Sequence, residues 1–131
     1  MRNLRPDVDP RKFLADLSQA PKRLLILDYD GTLAPFRVER DQAVPYPGVR
    51  QALVDLQTVA HTRVVLVSGR AVASLLPLLE VEPVPEIWGS HGLERRTPDG
   101  RLTVQEPGAA AREGLKQAQA IAGTEAPEQW E

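Results

Sequence analysis

An α/β fold built on parallel strands is predicted by three features of this 131-residue chain. Two apolar runs, "RLLILD" from residue 23 and "RVVLV" from residue 63, lack polar alternation, as strands buried on both faces do. A stripe of apolar residues at helical spacing lies between them. Each run ends abruptly in small or polar residues, "DYDGT" after the first and "SGR" after the second. Strand, helix, strand over this length is a βαβ unit, whose strands run parallel with a right-handed crossover.

The elements follow in order. Asp9 and Pro10 have the chemistry of an N-cap and a first helical position, and Phe13, Leu14 and Leu17 follow at helical spacing, so a short first helix is expected, ended by Pro21. The first strand comes next. After Pro45 and Pro47, Val49, Ala52, Leu53, Leu56, Val59 and Ala60 trace one helical stripe. Beyond the second strand a helix is expected from Ala71 to Leu79, with Pro77 bending it or starting a new turn. "EIWGSHG" reads as a third, short strand, and Trp88 with Leu75, Leu76, Leu78 and Leu79 are core candidates. "ERRTPDGRLTV" reads as a hairpin, with Pro98, Asp99 and Gly100 supplying the turn and Arg95 and Arg96 on a solvated strand edge. A last helix is expected from Ala109 to Ile121, weakened by Gly114, and the polar tail "GTEAPEQWE" is expected to fray.

Composition bounds the function. The apolar share of 42% and charged share of 26% are those of an ordinary globular domain, and the formal net charge of -2 gives no electrostatic case for nucleic acid or an anionic membrane surface. With no cysteine there is no disulfide and no thiolate metal site. The charged N-terminus lacks the apolar stretch of a secretory signal, and no apolar run approaches the ~20 residues needed to cross a bilayer. A cytoplasmic protein without nucleic-acid or membrane partners is expected.

The residues that carry chemistry stand where the two strands end. In an open parallel sheet the ligand site lies beyond the carboxyl ends of the strands, which here carry Asp28 with Asp30, and Ser68 with Gly69 and Arg70. In extended chain, positions two apart project to the same side, so both aspartates can face one pocket. Gly31 lets the chain turn and present backbone N–H groups, and Thr32 adds a hydroxyl, a combination that suits a phosphate. Two carboxylates alone would repel that dianion, and a hard divalent cation with oxygen ligands, such as Mg²⁺, resolves the conflict. The strand-end carboxylate can then attack phosphorus while its neighbour protonates the leaving oxygen and later activates water. His61 follows the helical stripe and reads as a polar helix end without a role.

At these positions the chain resembles a known family. "DYDGTL" at 28 to 33 is similar to the first motif of the haloacid dehalogenase (HAD) phosphohydrolases, and the serine of "VVLVSGR" stands where they carry a phosphate-binding second motif. "LDYDGTLAPF", "VSGR" and "GSHGLE" look most like trehalose-6-phosphate phosphatases. The resemblance covers residues 24 to 94. It implies a Rossmann-like HAD core, incomplete here, over residues 1–94, with residues 95–131 as a hairpin and helix that begin a small α/β cap. It implies Asp28 as nucleophile and Mg²⁺ ligand, and Asp30 as general acid/base and second metal ligand through its backbone carbonyl. Gly31, Thr32, Ser68 and Gly69 would hold the phosphoryl group, and Arg70, His91, Gly92 and Glu94 would lie near the sugar phosphate substrate or the cap junction. The implied reaction is hydrolysis of trehalose 6-phosphate through an aspartyl-phosphate. A sucrose-phosphate or mannosyl-3-phosphoglycerate type of phosphatase, or a non-catalytic truncated remnant, stands as the alternative.

The family's third motif, a lysine, and its fourth, an acidic cluster of the Gly-Asp-Asp type, are not visible. Lys116 lacks the expected surroundings, and the acidic residues after Glu94 do not cluster. The family continues for roughly another hundred residues, about one domain's worth, so a fragment is expected. One missing charge-stabilising donor costs about 3 kcal/mol, or a hundredfold in rate. The missing strands would leave "LLILD" as an apolar edge that invites self-association.

Overall fold

The computed structural model describes residues 9–106 and 108–125, and the expected fraying of the tail beyond 125 lies outside them. Helix α1 (Pro10–Gln19) starts as the sequence predicts: Asp9 Oδ1 accepts hydrogen bonds from the backbone N–H groups of Arg11 at 3.0 Å and Lys12 at 3.2 Å, with Pro10 in the first turn. Its apolar residues do not reach a core, since Phe13 and Leu14 are both exposed.

Five strands form one sheet in the order β1-β2-β3-β4-β5. Strands β1 (Arg23–Asp28), β2 (Thr62–Val67) and β3 (Glu86–Gly89) are parallel, and the predicted hairpin, β4 (Glu94–Arg96) with β5 (Leu102–Val104), continues the sheet antiparallel. The sheet is therefore mixed, its parallel part confined to the βαβαβ half. Gly100 turns the hairpin at φ +89°, with its N–H bonded to the Thr97 carbonyl at 2.9 Å.

Helix α2 (Val49–Thr58) links β1 to β2 and α3 (Val72–Leu79) links β2 to β3. Strand order follows chain order, so two right-handed crossovers place both helices on the same face. The core forms there: Leu53 of α2 and Val72, Leu75, Leu78 and Leu79 of α3 pack with Val64, Leu66 and Ile87, and Leu27 joins from β1. The predicted stripe is shorter than expected. Helix α2 ends at Thr58, leaving Val59 and Ala60 beyond it and exposed, and Ala52 faces solvent. Helix α3 runs through Pro77, and Arg50 closes its C-terminus by donating to the carbonyls of Leu79 at 2.9 Å and Leu78 at 3.1 Å.

One expectation is overturned on the other face. β2 is buried on both sides, as its sequence suggests, whereas β1 alternates, with Leu24 54% and Ile26 60% exposed. β1 stands at the sheet edge, where apolar residues can be laid down that no helix covers. Helix α4 (Ala109–Glu125) is exposed along its length as far as residue 122.

Candidate active site

The loop after β1 is shaped by what it buries. β1 ends at Asp28, so the strand alternation does not extend to Asp30. Tyr29 turns into the core with no exposed surface, and its hydroxyl donates to the Ala43 carbonyl at 2.7 Å. Burial pushes the Tyr29 phenol above its usual range, with the Asp30 charge adding to the rise. The Tyr29 carbonyl accepts from the N–H groups of Thr32, Leu33 and Ala34 at 3.3, 2.9 and 3.0 Å, and Leu33 and Ala34 are buried behind it. Gly31 makes the turn at φ +84°, where a Cβ would run into the Phe36 ring. Tyr29, Leu33 and Ala34 of "DYDGTLA" are thus drawn inward, leaving Asp28, Gly31 and Thr32 exposed.

Asp28, Val67, Ser68, Gly69, Trp88, His91 and Gly92 line one open cleft of about 410 Å³ beyond the carboxyl ends of β1, β2 and β3. The register explains the grouping, since Asp28 is level with Val67 and Val67 with Trp88. Ser68 is buried: its N–H donates to the Trp88 carbonyl at 2.9 Å, and its Oγ accepts from the Arg70 N–H at 3.1 Å. The hydroxyl hydrogen stays available to a ligand. His91 stands over the second loop so closely that a Cβ on Gly69 would sit 2.6 Å from its Cε1. Ser90, His91 and Gly92 are consecutive left-handed residues, at φ 49°, 54° and 93°. Two of them lack glycine's freedom, and they are held by Ser90 N–H donating to the Arg70 carbonyl at 2.8 Å and His91 N–H to the Ser68 carbonyl at 3.3 Å.

The remaining predicted residues are placed differently. Asp30 is half-buried, and its carboxylate is held by the Arg70 guanidinium: Nε lies 2.9 Å from Oδ2 and Nη2 lies 2.7 Å from Oδ1. That hydrogen-bonded fork pushes the Arg70 guanidinium above its usual range, against the opposing effect of burial. Glu94 caps a helix, since its Oε2 accepts from the Val72 N–H at 2.7 Å, at the start of α3. Gly31 and Thr32 stand on the exposed turn beside Asp28 rather than in the cleft lining.

Trp88, expected in the core, lines the cleft, and its indole N–H donates to Glu86 Oε1 at 3.0 Å. Glu86 is buried between Arg63 of β2 and Arg95 of β4, the latter donating from Nε at 2.9 Å and stacked 5.3 Å from the Trp88 ring. Arg95 therefore anchors a buried carboxylate instead of edging the sheet. Burial alone would raise the Glu86 carboxyl, but hydrogen bonds from Arg63, Arg95 and Trp88 outweigh it and hold the group below the usual carboxylate range. Among the described residues no cluster of three or more acidic or imidazole groups could hold a metal ion, and Lys116 stands exposed on α4.

The trehalose-phosphatase family model matches residues 26–126. The chain belongs to the trehalose-phosphatase family. A trehalose-phosphate phosphatase of Mycobacterium leprae (strain TN) is 38% identical over 97 residues, which is 72% of this chain and 21% of the relative. The protein of that name from Mycobacterium tuberculosis (strain ATCC 25618 / H37Rv) is 36% identical over 117 residues, 88% of this chain and 29% of the relative. Among solved structures, Aspergillus fumigatus trehalose-6-phosphate phosphatase superposes with a TM-score of 0.73 at 26% identity, over 89% of this chain and 44% of that one. A haloacid dehalogenase-like hydrolase from B. subtilis, at 22% identity, shares the fold with a TM-score of 0.58 over 77% of this chain and 34% of that one. The HAD fold expected from the motifs is therefore the fold observed. The chain spans under a third of the curated relatives' length and under half of the solved structures'.

Proposed function

We propose that this chain carries the first and second motifs of a phosphomonoester hydrolase of the trehalose-6-phosphate phosphatase type. The observation that carries this reading is the convergence of Asp28, Ser68, Gly69, His91 and Gly92 on one strand-end cleft in a chain of the trehalose-phosphatase family. In this reading a carboxylate oxygen of Asp28 attacks phosphorus, and the bond from phosphorus to the sugar oxygen breaks. Asp30, which must first leave the Arg70 fork and carry a proton, gives that proton to the oxygen, so the sugar departs as an alcohol. Asp30 then takes a proton from water, whose oxygen attacks phosphorus, frees inorganic phosphate and restores Asp28. Ser68 and the Gly69 N–H hold the phosphoryl oxygens, while His91 and Gly92 border the sugar, and Gly31, whose N–H is bonded to the Ala34 carbonyl at 2.7 Å, shapes the turn beside them.

Mg²⁺ is the proposed cofactor. Its preference for one or two carboxylates completed by substrate oxygens and water fits Asp28, and the family resemblance implies the main-chain carbonyl of Asp30 as a second ligand. When bound, the ion would offset repulsion between the carboxylates and a phosphate dianion. The partner is a small sugar phosphate, in the cytoplasm, and residues 95–106 and 108–125, whose hairpin extends the core sheet, lead toward a cap. Self-association through the outer edge of β1 belongs to the same proposal, supported by the exposure of Leu24 and Ile26. The described residues' lack of an acidic cluster favours a second reading, a phosphate-binding remnant without turnover.

Phosphate release from trehalose 6-phosphate with Mg²⁺, compared with Asp28→Asn and with sucrose 6-phosphate, separates the readings. Release that disappears in Asp28→Asn and is faster with the trehalose ester is expected. Equal release from both proteins would overturn the nucleophile assignment, and none from a folded chain would leave either part of a longer enzyme or the remnant.

A further inference from the structure

The cleft beyond β1, β2 and β3 is polar where Asp28, Ser68 and His91 stand and apolar where Val67 and Trp88 stand. Trp88 is the largest of these side chains, and binding of a phosphoryl group makes no use of it. It is half-buried and borders open space, whereas Ile87 beside it has no exposed surface.

The ring is held from two directions. The indole N–H donates to Glu86 Oε1 at 3.0 Å, and the same oxygen accepts from Arg95 Nε at 2.9 Å. The Arg95 guanidinium lies over the ring, 5.3 Å from its centre, and Arg63 Nε holds the other Glu86 oxygen at 2.9 Å. The clasp therefore rests on a buried carboxylate with both oxygens engaged. An indole fixed at its N–H and along one face is ordered before any ligand arrives, so stacking on it carries little further entropic cost.

The distance from Asp28 selects what can stack. Asp28 is level with Val67 and Val67 with Trp88, so Trp88 stands two strands away on the same side of the sheet, about 9.5 Å between main chains. A six-membered sugar ring joined through one methylene to a phosphoryl group at Asp28 crosses that interval, and its C–H bonds form an apolar face that an indole can cover. A short acyclic ester ends before it.

We propose that Trp88 is a specificity-determining residue whose indole stacks on the hexose ring that carries the phosphate. This rests on the phosphatase reading above for the place of the phosphoryl group, and on the cleft, the register and the clasp for Trp88. Glu86 and Arg95 act through Trp88 as positioning residues. Stacking strengthens the binding of esters that carry a ring and adds nothing to the binding of phosphate itself.

Two measurements on the full chain decide it. The first follows the Ser68 and Gly69 amides and the Trp88 indole N–H by nuclear magnetic resonance, in the Asp28→Asn form so that added esters stay intact. Adding Trp88→Phe identifies which of the chain's two tryptophans gives the Trp88 signal. Inorganic phosphate and glycerol 3-phosphate, which has no ring, are expected to move Ser68 and Gly69 and to leave the indole N–H in place. Trehalose 6-phosphate is expected to move all three. An indole N–H that stays in place while trehalose 6-phosphate moves Gly69 overturns the proposal and leaves the phosphatase reading standing, and equal movement with glycerol 3-phosphate does the same. An indole N–H that responds to protein concentration and not to the sugar ester places Trp88 in a contact between copies, which also overturns it. If no added compound moves Gly69, the phosphate-binding cleft fails and the stacking with it.

The second measurement is affinity. Trp88→Leu, which stays apolar and removes the ring, is expected to weaken trehalose 6-phosphate about tenfold and to leave inorganic phosphate unchanged. Trp88→Phe, which keeps a ring, is expected to lose less. Equal weakening of both ligands, or of neither, overturns the proposal. Should Trp88→Leu fail to fold, the resonance experiment still judges it.

Discussion

The two faces of one sheet have opposite fates. On the face under α2 and α3, Leu66 and Ile87 have no exposed surface and pack with Leu53, Leu75 and Leu79. On the other face Leu24 and Ile26 are more than half exposed, and the inner positions carry a buried Glu86 clasped by Arg63, Trp88 and Arg95. In β1 both faces are apolar in sequence, with Leu25 and Leu27 on one and Leu24 and Ile26 on the other. What differs is connection: two right-handed crossovers in a monotonic strand order put both helices on one side. The covered face stabilises the domain, while the exposed face and the outer edge of β1 are where the self-association proposed above would occur.

The largest test of this contrast is Leu66→Ala. Truncating a fully buried leucine on the covered face is expected to cost about 3 kcal/mol, read as a lower urea midpoint with unchanged slope. A loss below that of a surface substitution would mean that the core does not lie under the helices.

Glu86→Gln asks what holds the bare face. At neutral pH it is expected to cost about 1 kcal/mol, because two cationic donors lose a charged acceptor but stay exposed enough to reach water. The folded-state carboxyl lies below its usual value of 4.5, so its contribution is present above that value and is lost as pH falls through the lower folded one. The gap between the two proteins should therefore close below about pH 4.5. A gap constant down to acid would show that Glu86 carries no linkage.

The smallest expected effect on stability belongs to Ile26→Lys, within about 0.5 kcal/mol. Its effect on assembly should be large, since a charge on an exposed edge strand opposes strand addition. Sedimentation over a range of concentrations should show association for the unaltered chain and a monomer for the variant. A monomeric unaltered chain would remove association from the bare face.

Much was legible in the residues themselves. Asp9 and Pro10 announced α1, the apolar runs and the stripe between them announced β1, α2 and β2, and Pro98 to Gly100 announced the hairpin turn. These signals are local, set by capping, periodicity and turn chemistry within a few residues. So was the position of the candidate cleft, because strands that end in "DYDGT" and "SGR" place those residues at the same end of a parallel pair.

Tertiary structure decided the rest. "LLILD" reads as a strand buried on both faces, yet Leu24 and Ile26 are exposed, because burial depends on which neighbours arrive. Trp88 joins the cleft because its register sets it level with Val67, which is level with Asp28. Glu94 caps α3 across 22 positions, Glu86 meets Arg63 across 23, and Arg70 reaches Asp30 across 40. The sequence by itself determined the family, the motif residues and the local elements. The structure alone decided which charges meet, since long side chains find their partners through strand order and register, which no short stretch of sequence encodes.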